Sequence, residues 1–139
     1  MSNIHPSHYF NSAEYYLHNA NGPKNCQEIE NLVKKDGCPD DKIQSVINGL
    51  MIDFVYDTLS YNTDFVRVYG PDGAAVKVQK YLFTKPQWID ALCNTFVGLS
   101  KERATCILDY MCGRDMIMKD IDGILYRGMA PGKRNPVEL

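Results

Sequence analysis

The sequence predicts a mostly helical α+β fold with one β-hairpin and a helical C-terminal extension. Three observations predict it: apolar residues recur at helical spacing over 8–56, residues 64–83 are β-rich around a Pro-Asp-Gly turn, and helical spacing returns after Pro86. The chain has 139 residues, which is the size of one domain. Its 45% apolar and 23% charged residues are close to the globular average, which excludes a disordered or low-complexity chain.

Three helices are predicted in the first half of the chain. Residues 8–20 carry apolar side chains three and four positions apart, and the run Asn21-Gly22-Pro23 ends this helix. Asn25 can cap a second helix, and Gly37 suits the left-handed position that follows its last turn. The third helix, over 39–56, contains the most regular apolar series: Ile43, Val46, Ile47, Leu50, Met51, Phe54 and Val55.

The β-rich stretch predicts a single hairpin. Residues 64–69 and 75–83 are rich in valine and aromatic residues, and the sequence Gly70-Pro71-Asp72-Gly73 between them is typical of a turn. Helical spacing then resumes in two segments. A proline begins the helix predicted over 86–98, and a serine caps the helix predicted over 100–113.

The rest of the chain completes a helical extension and a tail. A short piece over 119–126 ends the extension, which spans 86–127, and the Gly- and Pro-rich segment 128–139 is predicted to be a flexible tail. The extension has more apolar side chains than one short helical hairpin can bury. We therefore expect a homodimer that forms through these residues: Trp88, Leu92, Phe96, Ile107 and Met111.

A little over half of the chain resembles a known DNA-binding layout. The capped helix 25–36, the turn Gly37-Cys38-Pro39, the helix 39–56 and the turn Pro71-Asp72-Gly73 follow one another as helix, helix and hairpin. Over residues 8–83 this order resembles a winged helix-turn-helix domain. The resemblance implies that the third helix enters the major groove of double-stranded DNA while the hairpin contacts the backbone. It also implies that the protein is a non-enzymatic regulator that binds DNA as a dimer.

The resemblance assigns roles to exposed polar residues of these elements. Amide and hydroxyl side chains of the third helix are expected to contact bases, and cations of the helix and hairpin are expected to contact phosphates. The base contacts are Gln44, Ser45 and Asn48. The phosphate contacts are Lys42, Arg67, Lys77 and Lys80.

The charge distribution supports a second interpretation. Residues 1–62 contain four lysines and eight acids, a net charge of −4, and residues 63–139 contain eleven cations and nine acids, a net charge of +2. The acidic first half contains the helix that is expected to contact DNA, and a negatively charged surface binds phosphates poorly. The alternative is an adaptor or inhibitor of the kind found in phages and mobile elements, which blocks a basic, nucleic-acid-binding protein with an acidic helical face. That face would consist of Asp40, Asp41, Asp53 and Asp57.

The sequence gives no pattern for catalysis, a metal or a cofactor. All three histidines lie within 5–18, away from every cysteine, and no Gly-rich phosphate loop is present, so we expect no enzyme activity. The five cysteines are odd in number and show no C-x-x-C spacing, and the longest apolar run has four residues. We therefore expect reduced thiols, a cytoplasmic location and no membrane partner.

Overall fold

The computed structural model describes residues 5–60, 66–77 and 83–139. Five α-helices lie in these ranges: α1 (Asn11–Asn19), α2 (Cys26–Lys35), α3 (Ile43–Ser60), α4 (Lys85–Thr95) and α5 (Lys101–Gly113). Six short strands lie in them: β1 (Lys24–Asn25), β2 (Val66–Tyr69), β3 (Ala75–Lys77), β4 (Phe96–Val97), β5 (Ile117–Lys119) and β6 (Leu125–Arg127). The strands form a parallel pair, β1 with β4, and two antiparallel hairpins. The mostly helical α+β class is confirmed.

The predicted boundaries of α2 have local causes. The Oδ1 atom of Asn25 accepts the backbone N–H groups of Gln27 (2.8 Å) and Glu28 (3.4 Å), as an N-cap does. The backbone N–H of Asn25 itself donates to the Tyr16 hydroxyl (3.1 Å), which joins the start of α2 to α1. After α2, Gly37 has φ of 91°, a conformation that favours glycine.

The central helix of the fold is α3, which is buried on several sides. It begins at Ile43 after a single 3-10 turn, later than predicted, and extends to Ser60. Its predicted apolar series is buried, and so is Ile52, which lies on the side predicted to be polar. A helix with apolar residues around its circumference is typical of a core position. Among the described helices, none combines the length and apolar character needed to cross a bilayer.

The C-terminal segment, which the sequence predicted to be a flexible tail, lies against one side of α3. The Val137 N–H donates to the Ser45 carbonyl (2.9 Å), and the Asn48 amide donates to the Val137 carbonyl (2.9 Å). At Gly49 the helix has no side chain, and a Cβ there would collide with the carbonyl oxygen of Asn135. The tail lacks helix and strand but is held by specific contacts.

The extension contains α4 and α5 as predicted, but it ends in a second hairpin instead of a short helical piece. Strands β5 and β6 pair across the turn Asp120-Ile121-Asp122-Gly123, in which the glycine has φ of 82°. The carboxylate of Asp120 accepts the backbone N–H groups of Asp122 and Ile124 (both 2.9 Å), which stabilises the turn. The prediction of one hairpin is therefore wrong.

The apolar side chains that predicted a dimer are used within the chain. Trp88, Leu92, Phe96, Ile107 and Met111 are all fully buried, and they belong to the same core as α2 and α3. The proposed division into residues 8–83 and 86–127 is thus not matched by two separate cores. These five residues cannot form an interface, although a dimer through another surface stays a prediction.

Candidate functional site

The face of α3 that the resemblance assigned to DNA bases is closed. Ser45 is 3% exposed and its hydroxyl donates to the Lys42 carbonyl (2.7 Å). Asn48 is 6% exposed; its amide nitrogen contacts Val137 of the tail, and its oxygen accepts two N–H groups of Arg103 (3.2 and 2.7 Å). Neither side chain is available to a base edge, and this part of the prediction is corrected.

Two other predicted contact residues at the start of α3 are exposed. Lys42 ends the turn before the helix, and Gln44 lies in the first turn of the helix itself. The side-chain oxygen of Gln44 accepts a hydrogen bond from Arg103, and its backbone carbonyl accepts another (3.2 Å). Arg103 thus binds the start of α3 to α5, so the amide oxygen of Gln44 is engaged within the fold.

Arg67, the hairpin cation whose side chain the structure describes, does not lie beside these residues. The Arg67 guanidinium lies 5.7 Å from the ring centroid of Phe54, which is ten residues, or about 15 Å, along α3 from Gln44. Lys77 is the last residue of β3. Lys80 lies outside the described residues. The predicted set therefore does not form one continuous reading surface in the described part of the chain.

The acidic face of the second interpretation is divided by the tail. Asp40 and Asp41 are exposed in the turn before α3. Near the other end of the helix, Asp57 is mostly covered and forms an ion pair with Lys133 of the tail. Only the first pair of acids is open to a basic partner, so the prediction of a four-residue acidic face is corrected.

The fourth acid of that predicted face, Asp53, is buried under the tail. It is 6% exposed, and its carboxylate accepts the backbone N–H of Arg134 (3.1 Å). Burial raises the pKa of Asp53 to about 6, although the Arg134 hydrogen bond and the charge of Lys133 act in the opposite direction. Glu14 and Asp57 nearby raise this pKa further. Asp53 is thus a buried acid whose ionised form is disfavoured, and it is not a surface contact.

An open groove lies between α1 and α2 and encloses about 580 Å³. Its apolar side chains are Tyr15, Tyr16 and Leu32, and Tyr15 is 71% exposed. Glu28 and Lys35 line the groove from α2, seven positions and therefore about 10 Å apart. The groove thus has an apolar middle, with an acid toward one end and a base toward the other.

The two helices that form the groove are antiparallel and joined at both ends. At one end the Ser12 N–H and hydroxyl both donate to the Asp36 carboxylate (2.8 Å each). At the other end the Tyr16 hydroxyl accepts the N–H of Asn25 (3.1 Å). These bonds hold the groove open without a ligand. The sequence contains one signal of this groove, the pair Tyr15-Tyr16. Tyr16 lies on the apolar side of α1 that faces the core, whereas Tyr15 lies outside that side and is exposed.

The described residues contain no cluster suited to a metal ion. Within 5–60, 66–77 and 83–139, no three His, Cys, Asp or Glu side chains lie close enough together to hold a metal ion. Burial raises the pKa of the thiols of Cys26, Cys38, Cys93 and Cys112, which makes them weaker nucleophiles. Comparisons with protein-family models, with curated proteins and with solved structures each found no match to this chain.

Proposed function

We propose that the protein is a non-enzymatic adaptor or inhibitor that binds one amphipathic helix of a partner protein in the groove between α1 and α2. The observation that carries this proposal is the groove itself, an apolar cleft with an exposed tyrosine and a charge at each end. DNA binding through α3 receives less support, because the tail and Arg103 occupy the side chains that would contact bases.

A helix is the occupant that the shape of the groove favours. Two antiparallel helices present a cleft of parallel ridges, and a third helix fills such a cleft by packing its own ridges into it. A partner helix would contribute apolar side chains at positions i, i+3 or i+4, and i+7, as helices bound in grooves do. These side chains would contact Tyr15, Tyr16 and Leu32.

The charges of the groove specify the partner further. Glu28 favours a basic side chain at its end of the groove, and Lys35 favours an acidic one at the other end. A partner helix that matches both carries Lys or Arg about seven residues from Asp or Glu. This pattern fixes the direction in which the helix binds, since charge complementarity contributes specificity more than affinity. The partner helix thus carries both a basic and an acidic side chain, in contrast to the basic partner expected from the sequence.

The experiment is a selection from a displayed library of amphipathic helices about 14 residues long, which span about 21 Å. Selection on the native protein, with depletion on the Leu32→Glu variant, is expected to enrich helices that have an apolar stripe and opposite charges seven residues apart. A selection without such a consensus, or binders that Leu32→Glu retains equally well, would contradict the proposal. Binding of random duplex DNA at low salt, lost steeply as salt rises, would support the DNA-binding function instead.

Tyr15→Ala is expected to weaken a selected helix about tenfold or more without loss of stability. The side chain is mostly exposed in the isolated protein, so its removal should change the free energy of unfolding little. In a complex, the same aromatic side chain would be buried and would contribute about 1.5 kcal/mol or more to binding. Isothermal titration calorimetry measures the change. Ile121→Ala is the matched control, because Ile121 is fully exposed outside the groove and should leave the affinity unchanged.

The charge-swapped variant Glu28→Lys with Lys35→Glu tests the orientation. It keeps the composition and apolar residues of the groove and reverses its polarity, so it should prefer a peptide in which the two charges are exchanged. Measured affinities of both peptides for both proteins give the comparison. If the native and the charge-swapped protein preferred the same peptide, Glu28 and Lys35 would not orient the partner.

A further inference from the structure

The α2 helix carries, on its own outer side, the pattern that the groove favours in a partner helix. Glu28, Leu32 and Lys35 line the groove from α2 at positions i, i+4 and i+7, which lie on one side of a helix. Glu28 and Lys35 are exposed, and Leu32 is half-buried. An α2 helix of a second copy therefore offers an acid and a base seven residues apart, with an apolar residue between them.

Two such helices complement each other when they run in opposite directions. A two-fold axis between Asn31 and Leu32 then relates the two copies. Glu28 of each copy lies opposite Lys35 of the other, which gives two ion pairs. A parallel pair would instead place Glu28 beside Glu28 and Lys35 beside Lys35. The antiparallel pair also places the positive N-terminus of each helix dipole beside the negative C-terminus of the other.

The apolar side chains of the groove suit the same orientation. The two Leu32 side chains lie beside the two-fold axis, where each covers the other. The α2 helix of the second copy enters the groove between α1 and α2, so it also contacts Tyr15, which is 71% exposed in one chain. By symmetry, α2 of the first copy enters the groove of the second. The four helices then form a bundle with the two α2 helices in its centre.

The groove is held in shape before a second copy binds. Ser12 and Asp36 join the two helices at one end. Tyr16 and Asn25 join them at the other end. Association therefore has to order few groups, which lowers its entropic cost. The helices have nine and ten residues and are about 15 Å long, so the interface is small and the dissociation constant is expected to be micromolar.

We propose that a second copy of this chain occupies the groove in the absence of a partner helix, as an antiparallel two-fold dimer through α1 and α2. The dimer rests on the groove of the proposed function and regulates it, because a partner helix must displace α2 of the other copy. The five buried residues from which the sequence predicted a dimer take no part in this interface.

The test is the molar mass of the full chain by light scattering at concentrations from about 10 µM to about 1 mM. We expect the mass to rise from the 15.8 kDa of one chain toward twice that value. Glu28→Lys or Lys35→Glu alone turns both attractions into repulsions, so each variant should associate at least about tenfold more weakly. Lys34→Glu is the matched control, because it makes the same charge change at an exposed position that does not line the groove.

Mixing the two single variants should restore association. The Glu28→Lys copy presents two bases and the Lys35→Glu copy presents two acids, so an equimolar mixture should form a heterodimer about as stable as the native dimer. This rescue also shows that both variants are folded. The double variant Glu28→Lys with Lys35→Glu again has complementary charges in each copy, and it should associate as the native chain does.

The double variant separates this proposal from the proposed function, because self-association is kept while the preference for a bound peptide is reversed. A constant mass of 15.8 kDa up to about 1 mM would overturn the dimer and leave peptide binding intact. Equal association of the native chain and both single variants, or a mixture that fails to associate, would also overturn it. A dimer with the expected charge dependence but no selected peptide would contradict the proposed function alone.

Discussion

At about pH 4, where the buried Asp53 is protonated in the folded chain, a chain that ends at Ala130 is expected to be less stable than the full chain by about 3 kcal/mol. The truncation removes the two hydrogen bonds between Val137 and α3 and the hydrogen bond that Arg134 donates to Asp53. Each contributes about 1 kcal/mol, and the side of α3 that they cover becomes exposed. Urea unfolding followed by circular dichroism measures the change. For a protein of this size it corresponds to a fall in melting temperature of about 10 °C.

The control is a full-length tail that keeps its hydrogen bonds to α3 and loses one charged side chain. The full-length variant Lys133→Ser removes the partly exposed ion pair with Asp57 and the attraction of Lys133 for Asp53, and the loss of stability should stay below about 1 kcal/mol. If truncation changed the free energy of unfolding no more than Lys133→Ser does, the tail would contribute nothing beyond that surface pair. The buried contacts along α3 would then be unsupported.

Replacement of the buried acid, Asp53→Asn, is expected to stabilise the protein by about 2 kcal/mol at pH 7. The pKa of Asp53 is about 6 in the folded chain, above the ordinary value of 3.8 for an aspartate, so above pH 6 the fold carries an ionised carboxylate that burial disfavours. The folded state binds more protons between these two values, and the native protein loses stability as the pH rises from about 4 to 6. Asparagine is neutral, and its oxygen can still accept the Arg134 N–H.

The pH dependence separates this effect from a general improvement in packing. The advantage of Asp53→Asn over the native protein should be present at pH 7, shrink as the pH falls through about 6 to 4, and approach zero below about pH 3, where Asp53 is protonated in both states. Chemical unfolding of both proteins across this range gives the difference. An advantage that is constant with pH would mean that the charge of Asp53 is not the cause. In the chain that ends at Ala130 the advantage should also shrink, since water then reaches the carboxylate.

The parts of the fold that were predictable from the sequence depend on local signals. Asn25 and Ser100 cap α2 and α5 as expected, because their side-chain oxygens accept backbone N–H groups within three residues. Gly37 and the turn that contains Gly73 likewise occupy conformations that favour glycine. The winged helix-turn-helix resemblance was based on the order of helices and hairpin alone. It stays a prediction.

The tail was missed because its contacts are non-local and its residues favour no regular structure. Gly and Pro around Pro131 exclude a helix or strand, but they do not prevent docking against a helix. The available signal was in α3, where Gly49 and Ile52 interrupt the side that was predicted to be polar and solvated. A small residue and an apolar one at those positions indicate that something packs there.

The second hairpin was missed although its turn carries a strong signal. Asp122-Gly123 is a favourable turn pair, and Ile117 and Leu125 begin the two paired strands with buried side chains. The groove between α1 and α2 was not predictable in the same way. It depends on how the two helices pack, and the exposed position of Tyr15 is its one trace in the sequence.

The central claim is that the C-terminal tail packs against α3 and closes the side of that helix that was expected to contact DNA bases. Gly49→Ala, measured by urea unfolding in the full chain and in the chain that ends at Ala130, tests it most directly. Alanine normally stabilises a helix interior by about 1 kcal/mol relative to glycine. In the full chain its Cβ would collide with the Asn135 carbonyl, so we predict a net loss of about 1–2 kcal/mol, which the truncation relieves by at least about 1 kcal/mol. Equal stabilisation of both chains by Gly49→Ala would contradict the claim, because it would mean that no tail carbonyl lies against α3.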